Sequence, residues 1–123
     1  KVVKVPGAFE LPCVSSKLAE RMDVSCVIAI GCVIRGDTPH FEYISQEVTR
    51  GLMDVSLVTQ KPVIMGVLTT ETEAQALERC HLGASEPSSQ QEGVKPNSPG
   101  DKGIEFAKAA LTMIQVFKGD LSF

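Results

Sequence analysis

Four short segments of the chain carry side chains whose types and spacing could do chemistry. The densest runs from Gly31 to Tyr43 and passes from an apolar stretch through a glycine turn into a new element. Thr38 is a good helix N-cap and Pro39 a good first helical residue, so the pattern predicts a helix start. Free N–H groups at a helix start bind anions, most often phosphate. His40 would lie in that first turn, where it could move protons beside the anion.

The other three segments are ambiguous by themselves. Glu10 follows a Pro-Gly turn, where a carboxylate suits the dipole of a predicted helix but is equally placed for a ligand at a strand end. Arg79 suits bidentate phosphate binding, although an isolated arginine is more often a solvated surface residue. Lys102 stands at the start of the last predicted helix. This is the unfavourable end for a cation, so its presence there favours a functional role.

An isolated histidine is also more often structural than functional. At His40, however, a strand end, an anion site and the imidazole coincide, and this coincidence favours the functional interpretation. A phosphate site, a proton-shuttling histidine and polar groups at strand ends together indicate acid–base chemistry on a phosphorylated metabolite.

Composition and missing motifs exclude other classes of function. The net charge is −3 with 12 basic residues, which argues against nucleic acid or an anionic membrane as the main partner. No apolar stretch approaches the ~20 residues of a membrane span, and we expect no signal peptide. Since the chain starts at Lys1 without a methionine, a processed or trimmed product stays open. A Ser-His-Asp set, a P-loop and a G-x-G-x-x-G pattern are all missing.

The cysteines give no sign of a metal site. None of the four forms a C-x-x-C pair, and no His or Cys spacing matches zinc. We predict buried, reduced thiols in a cytoplasmic protein. The four residues are Cys13, Cys26, Cys32 and Cys80.

Apolar patterning predicts three strands and four helices. The strands are residues 2–5, 26–34 and 62–69, and the two longer ones lack polar alternation, as expected for strands covered on both faces. The third helix is predicted to start with a capping box of Thr70 and Glu73 and to run to about residue 80. The fourth begins near Asp101 and runs to about residue 117. The first two are marked by Leu11, Val14, Leu18 and Met22 and by Ile44, Val48, Leu52 and Val55.

Strands that alternate with helices predict an α/β fold, with a parallel sheet and helices on both faces. A length of 123 residues suits one domain. Residues 84–101 hold three prolines and four serines, which predicts a long, specialised loop.

The last helix carries two nearly opposite apolar stripes. A helix that is apolar on two sides is buried on two sides, so a partner subunit is expected. The alternative is a single broad stripe with an exposed edge. The stripes are Ile104, Ala107, Leu111 and Ile114, and Phe106, Ala110, Met113 and Phe117.

Five blocks of the sequence, in the right order, resemble lumazine synthases, and the likeness extends over nearly the whole chain apart from residues 84–100. The blocks are VPGAFELP at residues 5–12, GCVIRGDTPHFEYI at 31–44, GVLTTE at 66–71, Gln75-Ala76 before Arg79, and Lys102-Gly103. The resemblance implies a three-layer αβα, flavodoxin-like fold and a cytoplasmic enzyme of riboflavin biosynthesis, assembled as a homopentamer. The reaction condenses 5-amino-6-ribitylaminouracil with 3,4-dihydroxy-2-butanone 4-phosphate to 6,7-dimethyl-8-ribityllumazine, releasing phosphate and water, with no metal or organic cofactor.

The resemblance also implies roles for single residues. Glu10 would bind the ribityl hydroxyls, with Ala8 and Phe9 beside the same substrate. The backbone at the strand end would bind the pyrimidine through Cys32, Val33 and Ile34.

The phosphorylated substrate would be held by a second group of residues. Asp37 and Thr38 would lie beside it, Arg79 would bind its phosphate, and Lys102 would add positive charge. His40 resembles the proton donor of the family. Met65 occupies a position that is usually Phe and that lines the site of a neighbouring subunit.

The chain departs from the family pattern in three places. The family has a further βα unit ahead of Lys1, whose strand is central in the sheet and which supplies an aromatic residue. We therefore expect residues before Lys1, and a strand-wide gap between residues 2–5 and 26–34. Residues 84–100 replace a short connection, and Met65 replaces an aromatic. Ordering a long loop costs about 1–2 kcal/mol per residue, so we predict a pentamer that does not build a closed shell.

Two rival functions remain open on the same fold. One is a non-catalytic protein that binds lumazine or flavin, although the presence of His40 and Arg79 favours an enzyme. The other is a pure assembly protein, for which the pocket residues would be dispensable.

Overall fold

The computed structural model describes residues 1–80 and 102–119 of the chain. The predicted loop at residues 84–101 and Asp101, near which the last helix was predicted to begin, lie outside the described residues. In chain order the elements are a 3-10 turn at Ala8–Glu10, α1 at Leu11–Ala19, β1 at Val27–Ile34, α2 at His40–Thr59, β2 at Val63–Thr70, α3 at Glu73–Arg79 and α4 at Lys102–Lys118.

The two strands lie side by side and parallel, in a register that pairs Ile34 with Thr70 at their carboxyl ends. On one face of the sheet, Ala29 and Val67 pack against Val48 and Leu52 of α2, which are 1% and 2% exposed. These buried positions of α2 are the ones that its apolar spacing predicts.

The other face of the sheet is covered by α4. Gly66 of β2 leaves room for the ring of Phe106, which lies 3.1 Å from the point where a Cβ at Gly66 would stand. The sheet therefore lies between α2 on one side and α4 on the other. The predicted α/β class, with a parallel sheet between helices, is confirmed.

The predicted strand at residues 2–5 is wrong. This segment has no regular secondary structure, and Val2 is 87% exposed. A strand forms only where a neighbour accepts its backbone hydrogen bonds, and the described sheet offers residues 2–5 no such pairing. As expected, the segment is not paired with β1. The strand-wide gap expected between this segment and β1 stays a prediction.

The prediction that both strands are covered on both faces is also wrong for β1. Its residues alternate between the core and an exposed face, and on the exposed face Ile30 is 68% accessible and Ile34 is 42% accessible. The reason is that α4 covers mainly β2. Met22, placed on the apolar face of the first helix, lies beyond the end of α1 and is 96% exposed.

The cysteine prediction is only partly correct. All four thiols are free, but only Cys26 is even half-buried. Cys32 is exposed because it lies on the uncovered face of β1. Cys13 and Cys80 are also exposed.

The two apolar stripes of α4 have different surroundings. The stripe with Phe106 and Ala110 faces the sheet, and Ala110 is buried. On the other stripe, Ile104 is 52% exposed and Leu111 is 64% exposed. The sheet of the same chain therefore covers one stripe of α4, and the outer stripe is uncovered in the single chain. No helix in residues 1–80 and 102–119 is long and apolar enough to cross a bilayer.

Candidate active site

The carboxyl ends of β1 and β2 bring two loops to one edge of the sheet. After the last strand pair, the backbone N–H of Arg35 donates to the carbonyl oxygen of Thr70 over 2.9 Å, which extends the pairing by one residue. The turn that leads into α2 and the turn that leads into α3 therefore start side by side. Ligands of parallel α/β sheets bind at this kind of edge.

The first loop carries three of the predicted site residues. Asp37, Thr38 and His40 are all exposed, and His40 is the first residue of α2. The prediction that Thr38 caps the helix is wrong, because Pro39 holds the cap position and no side chain makes a capping hydrogen bond there. One backbone N–H of that first turn already has a partner, because the N–H of Glu42 donates to the carbonyl oxygen of Pro39 over 3.1 Å.

The second loop leads into α3, which ends with Arg79. The predicted capping box at Thr70 and Glu73 is shifted along the chain. Thr70 is the last residue of β2 and is buried, whereas the hydroxyl of Thr72 caps the helix by accepting from Gln75 N–H over 3.2 Å. The side-chain oxygen of Gln75 accepts from the N–H of Glu71 over 2.9 Å. The capping pair is therefore Thr72 and Gln75, two residues later than predicted, and the return bond comes from the residue before the cap.

Arg79 is half-buried at the far end of α3. Its guanidinium Nη1 donates to the carbonyl oxygen of Gln75, one turn earlier, over 2.8 Å. Helical side chains point towards the N-terminus of their helix, so this bond directs the guanidinium back along α3 towards the sheet edge.

The residues assigned to the pyrimidine lie beside the same elements. Ala8, the first residue of the 3-10 turn, packs against the core, and this turn contacts β1 and α2. Phe9 is 57% exposed, and Glu10 is exposed. At the end of β1, Val33 packs against the core, while Cys32 and Ile34 lie on the uncovered face of the sheet.

Two predicted residues are not brought to this edge by the chain itself. Met65 is opposite Ala29 in the register, five residues before the end of β2, which places it about 16 Å from the edge. Lys102 is the first residue of α4, and its ammonium donates to Glu105 over 2.6 Å. A role for either residue at this edge therefore has no support from contacts within the chain.

The structure adds a residue that the sequence did not single out. Arg35 stands between the loops and forms ion pairs with Glu42 of α2 and Glu71 of the second loop. Its guanidinium carbon also lies 4.4 Å from the centre of the Phe41 ring. A signal was present, because Arg35 and Glu71 each directly follow a strand and carry opposite charges. Glu42, seven residues from Arg35, gives no such signal.

The ion pairs have an electrostatic effect on the partners. Hydrogen bonding from the Arg35 guanidinium holds the pKa of the Glu42 carboxyl below its usual value, and in turn Glu42 and Glu71 raise the pKa of Arg35. The carboxylate of Glu42 is thus stabilised in its ionised form by Arg35.

Replacement of Glu42 by glutamine is expected to make the free energy of unfolding less dependent on pH in the acidic range. The native pKa of Glu42 is lowered, so its contribution is fully present above the unfolded value of about 4.3 and is lost as the pH falls through the native value. Denaturant unfolding of both proteins from neutral to acidic pH measures this, and the stability difference should shrink below about pH 4.3. A difference that stays constant with pH would contradict the ion pair with Arg35.

Two concavities of the described residues lie away from this edge. One is at the amino ends of the strands beside Lys61 and Phe117, and the other lies between Val3 and α1. Neither is lined by His40 or Arg79. Within residues 1–80 and 102–119, no three His, Cys, Asp or Glu side chains form a metal-binding group.

Comparison with known proteins gives a consistent result. The family model described as 6,7-dimethyl-8-ribityllumazine synthase matches residues 1–118. A 6,7-dimethyl-8-ribityllumazine synthase from Thermus thermophilus is 43% identical over 117 residues, which are 95% of this chain and 65% of that protein. One from Aquifex aeolicus is also 43% identical over 117 residues, with 95% and 66% covered. The chain therefore spans slightly less than two thirds of the length of these curated relatives.

Proposed function

Because this chain belongs to the 6,7-dimethyl-8-ribityllumazine synthase family, we propose that it takes part in making 6,7-dimethyl-8-ribityllumazine for riboflavin biosynthesis. The substrates would be 5-amino-6-ribitylaminouracil and 3,4-dihydroxy-2-butanone 4-phosphate. The amine of the uracil condenses with the ketone to an imine with loss of one water, phosphate is eliminated, and the ring closes with loss of a second water. Two bound reactants and a proton shuttle are sufficient for chemistry of this kind.

The observation that carries the proposal is the shared edge of β1 and β2. It places the His40 end of α2 next to the start of α3, whose last residue is Arg79. A histidine and a phosphate-binding arginine on adjacent elements are what a proton-assisted loss of phosphate requires.

In this proposal the residues divide by substrate. His40 moves protons, Arg79 binds the phosphate, and Asp37 and Thr38 lie beside the phosphorylated substrate. The pyrimidine with its ribityl chain lies between the 3-10 turn and the end of β1, against Ala8, Phe9, Glu10, Cys32, Val33 and Ile34. Met65 and Lys102 would act at a site shared with a neighbouring subunit, because neither has contacts that place it at the edge.

A turnover assay with both substrates tests the proposal. The protein should form the product, which absorbs light at a longer wavelength than either substrate, and should release inorganic phosphate in equal amount. Product that forms only in step with the uncatalysed reaction would contradict the enzyme. Binding without turnover would instead support the rival function, a non-catalytic lumazine or flavin binder.

We also propose that the protein assembles as a pentamer in the cytoplasm. The uncovered stripe of α4 with Ile104 and Leu111, and the uncovered face of β1 with Ile30, are apolar surfaces that a neighbour would cover. A pocket between subunits would also bring Met65 and Lys102 into use.

Sedimentation of the protein should give a pentamer and no shell-sized particle. The reason lies in the sequence: residues 84–101 lengthen the connection to α4, and ordering such a segment between pentamers costs about 1–2 kcal/mol per residue. A shell-sized particle would refute the role of the long connection. A stable monomer would refute the role of the apolar stripe.

A further inference from the structure

We infer that Arg35 is a positioning residue that fixes the loop carrying Asp37, Thr38 and His40. We call this set of contacts of Arg35 the clamp, and the structure shows the contacts independently of any function. The effect of the clamp on turnover rests on the proposed function. The inference adds to that function a residue that acts on the reaction through His40.

Arg35 closes the loop at both ends. Its backbone N–H is held by the carbonyl oxygen of Thr70 over 2.9 Å, so the start of the loop is fixed to β2. Its side chain reaches past residues 36–40 to form an ion pair with Glu42 and to lie over Phe41, 4.4 Å from the ring centre. The start and the end of the segment around His40 are therefore both attached to one residue.

The same guanidinium connects this loop to α3. Arg35 pairs with Glu71, and the N–H of Glu71 donates to the side chain of Gln75 over 2.9 Å. The carbonyl oxygen of Gln75 accepts from Arg79 over 2.8 Å. A continuous chain of polar contacts thus runs from the His40 loop to the proposed phosphate-binding residue.

The expected effect of this clamp is on geometry rather than on global stability. Arg35 is 37% exposed in its side chain, and exposed ion pairs contribute little to folding. A planar guanidinium nevertheless fixes the directions of two carboxylates, which an ammonium group cannot do. Small displacements of reacting groups can slow catalysis by up to about 100-fold, so a loosened loop would slow turnover without unfolding the protein.

Arg50 provides a matched control within the chain. It also bridges two carboxylates, Glu47 and Asp54, but all three residues belong to α2. Removing the Arg50 guanidinium breaks the same number of ion pairs and changes the charge equally, while leaving the loop contacts of Arg35 intact.

The experiment compares Arg35→Met, Arg35→Lys and Arg50→Met by steady-state kinetics. Arg35→Met should lower kcat at least about tenfold and raise KM for the phosphorylated substrate, with KM for the ribitylaminouracil nearly unchanged. Arg35→Lys should restore part of the loss, and Arg50→Met should behave like the parent. Parent-like kinetics in Arg35→Met would overturn the inference, as would equal losses in Arg50→Met. If Arg35→Met fails to fold, Glu42→Gln and Glu71→Gln remove the two partners one at a time.

A second measurement separates this inference from the proposed function. The chain has two histidines, His40 and His81, so a His81→Gln background leaves a single imidazole to follow by NMR. The ring signals of His40 should shift in Arg35→Met and stay unchanged in Arg50→Met. A protein that turns over neither substrate would refute the proposed function, yet the His40 signals would still decide the clamp. Identical signals in both variants would overturn it.

Discussion

Alanine in place of His40 is expected to lower kcat by about 100-fold, the typical contribution of a positioned acid–base group. The imidazole is exposed at the first residue of α2, beside the edge where the phosphorylated substrate is proposed to bind. Since the pyrimidine would be held by the 3-10 turn and the end of β1, its binding should be nearly unchanged. The loss is then in the transition state and not in the ground state.

Steady-state kinetics and direct titration of the ribitylaminouracil measure the two parts of this prediction. Gln46→Ala is the control, because Gln46 is exposed on the same helix and has no assigned role. An unchanged kcat in His40→Ala would remove His40 from the reaction. A kcat that falls together with pyrimidine affinity would indicate a disturbed fold.

Alanine in place of Arg79 is expected to raise KM for the phosphorylated substrate rather than to lower kcat. Charge-assisted hydrogen bonds are worth about 1.5–3 kcal/mol, so losing those to the phosphate should raise KM for the phosphorylated substrate about tenfold to a hundredfold. The turnover number at saturation should fall much less, because Arg79 binds the group that leaves and does not move the proton. Arg79→Lys should lie in between, since a lysine keeps the charge without the bidentate geometry.

Arg21→Ala is a suitable control for this change. It removes the same charge from an exposed arginine that pairs with Asp23, between α1 and the amino end of β1, away from the proposed site. Equal, small effects in the variants of His40 and Arg79 would mean that the active site is elsewhere. An increase in KM for the pyrimidine alone would assign Arg79 to the wrong substrate.

The sequence predicted those parts of the fold that depend on neighbours along the chain. The helical spacing of Val48 and Leu52 is a local property, and both are buried as expected. The predicted strand at residues 2–5 was wrong because a strand also needs a pairing partner, which a local sequence pattern does not reveal. For the same reason, the sequence did not show that α4 covers mainly β2 and leaves Ile30 of β1 exposed.

The site was predictable to a similar extent. The sequence placed His40 at a helix start, and the structure has it there, one residue from the predicted boundary. The ion pairs of Arg35 were missed because its partners are 7 and 36 residues away. Glu42 is brought near by the turn into α2 and Glu71 by the strand register. Arg79 could be assigned to a helix, but the direction of its guanidinium depends on a bond to the Gln75 carbonyl oxygen that no pattern shows.

The way α4 is attached has a consequence for hydrogen exchange. The helix meets the sheet where Phe106 covers Gly66, and among its described residues only Ala110 is buried. Since α2 buries both Val48 and Leu52, we expect α4 to detach at a smaller free energy than α2. The backbone amides of α4 should therefore exchange with solvent through local opening, ahead of those in α2. A subunit that covers Ile104 and Leu111 slows this exchange, which makes the protection of α4 a direct readout of association.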